Sequence, residues 1–153
     1  MRSFLLITLV VTVAALGCIE RHARYYTAAS VQADECRDRY EIKNGGLAVL
    51  ELYRIKGLPF PDAFSGFAVY VEIPESQLLE DTTFSVPGTH AQARLWILRA
   101  PQTYLPEVCT GTITIHEVKD ERIVATLDLR SPEFEWNFKG KVGFHRTPVG
   151  PEG

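Results

Sequence analysis

Four histidines, His22, His90, His116 and His145, are the first residues to weigh for chemistry. Imidazole binds metals and moves protons near neutral pH. A metal site built on one element needs two such groups on one face, as in the helical spacing H-x-x-x-H. That spacing does not occur here. His116 and His145 fall in segments that alternate like strands, and side by side they would form half a metal site. Two exposed strand histidines are the simpler expectation. Glu133 and Glu135 come next. On a strand they would share a face with Cα atoms about 7 Å apart, a separation at which paired carboxylates can cleave glycosidic bonds. Nothing else in the chain suits sugar hydrolysis, and a solvated face accounts for both. Phe64-Ser65-Gly66 does not make a G-x-S-x-G elbow, and no Gly-rich phosphate loop is followed by Lys and Ser or Thr. The expectation is a non-enzyme with no catalytic residues, no cofactor and no metal.

The elements that would carry these residues are strands. Phe134, Trp136, Phe138, Val142 and Phe144 lie on one parity, and Glu135, Asn137, Lys139, Lys141 and His145 on the other. A helix would scatter those aromatics around its circumference, whereas a strand gathers them on one face. The segment Glu133 to Arg146 is therefore expected as one long strand, with a bend or bulge at Gly140. Its aromatics are expected in the core, although in a closed barrel they would line a ligand cavity. Thr110–Val118 and Arg122–Arg130 read as a hairpin joined at Lys119-Asp120-Glu121. In its second arm Ile123, Ala125, Leu127 and Leu129 face one way.

Earlier in the chain Phe67, Val69, Val71 and Ile73 alternate until Pro74. Leu47–Lys56 is apolar on both parities, which suits a central strand covered on both faces. Arg39–Lys43 ends at the turn Asn44-Gly45-Gly46, and Ala91–Ala100 has an apolar middle. Tyr25–Ala33 fits a strand or a short helix equally well. Residues 57–66 and 101–106 are expected as loops. Many short strands with no convincing helix predict a mainly β domain, an antiparallel β-sandwich, with a β-barrel as the alternative.

The N-terminus has a different character. Arg2 precedes Phe4–Leu16, an uncharged run of 13 residues. That is signal-sequence length and short of the roughly 20 residues needed to span a bilayer. Ala15-Leu16-Gly17-Cys18 then resembles the lipobox of bacterial lipoproteins, with Ala15 where Leu is commoner. The resemblance covers only residues 1–18. It implies cleavage before Cys18, a lipid on the Cys18 thiol and acylation of the new amino group. Ile19, rather than Asp, after the lipidated Cys implies the outer membrane in a Gram-negative cell. In a Gram-positive cell the same signal implies the outer face of the plasma membrane.

The three cysteines fit that picture. With Cys18 lipidated, Cys36 and Cys109 are left to pair in an oxidising compartment, closing a long loop that stabilises by at most about 4 kcal/mol. Two separate thiols are the alternative. The expected organisation is a signal peptide over 1–17, an anchor and tether over 18–24, one β-domain over 25–146 and a loose tail over 147–153.

Composition bounds the function. At 153 residues, 46% hydrophobic and 23% charged, the chain suits one folded domain. A net charge of −3 leaves no basic excess for nucleic acid. The resulting expectation is an envelope lipoprotein whose non-catalytic domain binds an envelope protein or a cell-wall component. The alternatives are a carrier of a small apolar ligand in a β-barrel, and a small envelope enzyme whose residues meet only in the fold.

Overall fold

The computed structural model describes residues 19–34, 36–57, 64–106 and 109–150. The apolar run Phe4–Leu16 and Cys18 lie outside these. Ten strands follow in chain order: β1 Ile19–Asp34, β2 Arg39–Asn44, β3 Leu47–Gly57, β4 Phe64–Pro74, β5 Thr83–Val86, β6 Gln92–Arg99, β7 Gln102–Tyr104, β8 Thr110–Lys119, β9 Arg122–Ser131 and β10 Trp136–Arg146. Two short 3-10 turns, Glu75–Gln77 and Pro132–Phe134, complete the described elements.

The strands form one sheet in the order β5-β8-β9-β10-β1-β3-β4-β6-β7, with β2 paired to β1. All pairings are antiparallel except β1 with β10, which meet in parallel at Arg24–His145 and Tyr25–Arg146. The sheet folds over on itself. Phe67 of β4 touches Trp136 and Phe138 of β10, although β1 and β3 separate the two strands in sheet order. Among the described residues the edge strands β5 and β7 do not pair with each other, so the fold is sandwich-like and the sheet is not closed into a barrel.

The inner space is filled. Leu50, Val69, Val71, Ile73, Leu95, Ile113, Ile115, Ile123, Leu127 and Phe144 are each fully buried there. The parity pattern of β9 and β10 holds: Ile123, Ala125, Leu127 and Leu129 are buried, as are Val142 and Phe144, while Asn137, Lys139, Lys141 and His145 are exposed. Tyr25 fastens the two layers, its hydroxyl donating to the carbonyls of Lys119 and Asp120 in the β8–β9 turn.

Several expectations are corrected. Residues 19–24 are not a tether but the first stretch of β1, paired with β3 from Ile19–Lys56 onward. The ambiguous Tyr25–Ala33 is the rest of that strand. It is broken by a bulge between Tyr26 and Ala29, where Ala28 takes a left-handed conformation (φ 48°). Past that bulge β1 pairs with β2, and this hairpin lies over the outer face of the sheet. Val31, Tyr40 and Ile42 there pack on Val49, Ala68 and Tyr70 in a second small core. That is why β3 and β4 are apolar on both parities. Glu72, buried beneath the hairpin, fastens it: Oε1 accepts the Val31 N–H (2.9 Å) and Oε2 accepts Arg94 Nε (3.0 Å).

Glu133 and Glu135 do not share a strand face. Pro132 starts a 3-10 turn that contains Glu133, and Glu135 is left-handed (φ 51°), so β10 begins only at Trp136. Gly140 makes no bulge, since β10 runs in unbroken register with β9 from Trp136 to His145. A side chain at Gly140 would meet the Phe138 ring at 3.2 Å, so the glycine gives that ring room. Short strand β7 and the start of β4 at Phe64 fall in segments expected as loops.

Candidate functional site

The face parity that builds the core changes character at one end of the sheet. On β1 the inward series runs Tyr25, Ala23, Arg21; on β3 it runs Leu50, Leu52, Arg54, Lys56; on β6 it runs Leu95, Ile97, Arg99. Strand alternation alone requires that these cations point to the same side as the core residues before them. Register then aligns them. Arg21 stands opposite Arg54, and Arg54 opposite Phe67; Lys56 stands opposite Ser65, and Ser65 opposite Arg99. The other layer supplies the facing wall. Trp136 meets the Phe67 ring edge-on at 5.1 Å, and the Arg54 guanidinium lies 5.0 Å above the Phe138 ring. One Arg99 nitrogen donates to the Phe134 carbonyl at 2.8 Å.

The result is an open cleft of about 450 Å³ at the mouth of the sandwich, with an apolar floor and a cationic rim. Among the described residues none of the four cations pairs with a carboxylate. Arg21 and Arg54 are like charges directly opposite on adjacent strands, an arrangement that destabilises a sheet. Departures of this kind from foldability rules mark functional sites. Chemically the cleft can hold an anion at its rim and an apolar group against Trp136 and Phe67.

A second polar cluster lies on the outer face. Buried Glu51 accepts the Tyr26 hydroxyl at Oε2 (2.7 Å). The His22 ring stacks on Tyr53 (4.7 Å between centroids) and Tyr53 on Trp96 (6.2 Å). His22 Nε2 is 3.4 Å from Glu51 Oε2 but has no aligned hydrogen-bond partner. Geometry makes this contact weaker than its distance implies. Burial, followed by the adjacent Glu51 charge, holds the Tyr26 and Tyr70 hydroxyls well above their ordinary range. This cluster packs the hairpin onto the sheet, and its one carboxylate is already engaged.

The other residues weighed for chemistry lie apart. His116 and His145 sit on β8 and β10, which β9 separates, and His116 Nε2 bonds Thr126 Oγ1 instead (2.7 Å). Cys36 and Cys109 are not bridged. Both are free thiols, one exposed and one buried. The turn carrying Cys36 sits against the outer face, where the neighbouring Asp38 carbonyl accepts Trp96 Nε1 (3.0 Å), whereas Cys109 belongs to the inner core. Burial pushes the Cys109 thiol up to about 11. Cys18 lies outside the described residues.

Sequence reasoning missed Arg21, Arg54, Lys56 and Arg99. The signal was present in Leu50-x-Leu52-x-Arg54-x-Lys56, a core parity that turns cationic, but it acquires meaning only when neighbouring strands do the same at the same end. Compared with protein-family models, curated proteins and solved structures, the chain matches none.

Proposed function

We propose that this protein is an envelope lipoprotein, held to a membrane by lipid on Cys18, whose β-sandwich is a non-catalytic binding module. The observation that carries this reading is the cationic, apolar-floored cleft, formed at the sheet end where β1 begins at Ile19. Because β1 starts directly after Cys18, the domain has no long tether and hangs close to its anchor. The lipobox resemblance supports the anchor. Two or three acyl chains, as a processed lipobox implies, give stable attachment where one chain would not. Among the described residues the sheet does not close into a barrel, and the aromatics of β10 pack against the inner core, with Trp136 also lining the cleft.

The test is fractionation of the producing cells. Cys18→Ser should move the protein to the soluble fraction or leave an unprocessed precursor. A variant that remains processed and membrane-bound like the parent would overturn the anchor.

A further inference from the structure

We propose that the cleft at the mouth of the sandwich takes an anionic phospholipid from the membrane on which the protein is tethered. The phosphate sits between Arg21, Arg54 and Lys56, and the first part of an acyl chain lies against Trp136 and Phe67. The choice of a membrane lipid rests on the lipid-anchor reading; the choice of an anionic amphiphile rests on the cleft alone.

Three observations converge on this occupant. First, Arg21 and Arg54 face each other across adjacent strands with Lys56 two residues on, all exposed and with no carboxylate partner among the described residues. An anion between them turns a repulsive pair into an attractive one, and guanidinium groups match phosphate oxygens geometrically. Second, the floor is apolar. Trp136 is half-buried and lines the cleft beside Phe67. A free inorganic anion has no use for such a floor, whereas an amphiphile covers it, and tryptophan suits the headgroup level of a bilayer. Third, the cleft cannot be far from the anchor. Arg21 follows Cys18 by three positions, so even a fully extended chain keeps their Cα atoms within about 11 Å. A lipid on Cys18 therefore holds the cationic rim at the membrane surface, where each such charge contributes to attraction by anionic lipids. The cleft's volume of about 450 Å³ is in the range of small-molecule sites.

Trp136 is one of only two tryptophans, so Trp96→Phe leaves it as the sole reporter in the full chain. The protein is titrated with dihexanoyl phosphatidylglycerol, with the neutral dihexanoyl phosphatidylcholine, and with inorganic phosphate. The anionic lipid should give a saturable blue shift of Trp136 emission, while the other two should not. Arg21→Gln combined with Lys56→Gln should weaken the response about 25-fold, roughly fivefold per charge removed. Both residues are exposed, and removing one of two repelling neighbours should leave the melting temperature no lower than the parent's. If the double variant fails to fold, Lys56→Gln alone should still weaken binding about fivefold. Equal responses to the anionic and neutral lipids, or an affinity unmoved in a folded variant, would overturn the proposal. The same shift from phosphate alone would overturn the amphiphile. Because these lipids are added in solution, the titration reads the cleft whatever the state of Cys18. The mass of the purified chain reports lipidation separately, so failure of one reading is not mistaken for failure of the other.

Discussion

Replacing Phe144 with Ala should be among the most damaging single truncations in this domain. Phe144 is 0% exposed, packed in the inner core and paired across the sheet with Ile123, itself 0% exposed. A buried phenylalanine removes about 150–250 Å² from water, which at about 25 cal/mol per Å² corresponds to roughly 4–6 kcal/mol. The extended-chain reference inflates that figure, while the cavity left behind adds to the loss, and about 3–5 kcal/mol is the net expectation. Trp136 shares the parity but lies at the mouth and is only half-buried, so Trp136→Ala should cost less, about 2 kcal/mol. Asn137 is exposed and opposite exposed Arg130, so Asn137→Ala should stay within about 0.5 kcal/mol. Equilibrium unfolding in urea measures all three. With a slope of about 2 kcal/mol per molar, Phe144→Ala should lower the midpoint by about 2 M at unchanged slope. Equal small shifts for Phe144 and Asn137 would refute the strand's facing. A larger loss at Trp136 than at Phe144 would refute the placement of core and cleft along it.

The thiols and the phenols each give a further test. Cys36 should react with maleimide under native conditions while Cys109 stays unmodified until the domain unfolds, as peptide mapping would report; reduction should leave the melting temperature unchanged, and a drop on reduction would restore the disulfide. Tyr25, Tyr26, Tyr40, Tyr53 and Tyr70 are each held above the ordinary value of 10.0, by burial first in every case. Folding thus favours their neutral forms, so this stabilisation is fully present below pH 10 and is lost as the pH rises through the higher folded values. Absorbance at the phenolate band should therefore lag until alkaline unfolding, and titration of these tyrosines at pH 10 in the folded protein would contradict their burial.

Sequence alone determined the facing of the strands with one-sided patterns. In β9 and β10 a period of two is a local property, and a one-residue slip would expose most of the apolar side chains, so parity and register are tied together. It also determined the β class and the turn at Asn44-Gly45-Gly46. It left undecided whatever depends on contacts between distant segments. The fate of Tyr25–Ala33 was illegible because β1 is shared: its first half pairs with β3, its second with β2, and the bulge at Ala28 that divides them leaves no local signature in a run of alanines and a threonine. The cysteines were counted correctly but placed wrongly, because counting cannot tell which side of a sheet a residue occupies. Glu133 and Glu135 were misjudged because Pro132 imposed a 3-10 turn where alternation implied a strand. The cleft belonged wholly to the tertiary structure. Arg21, Arg54, Lys56 and Arg99 each look like an ordinary solvated strand end, and only the alignment of β1, β3, β4 and β6, with β10 folded across them, turns four scattered charges into one cationic rim over an aromatic floor.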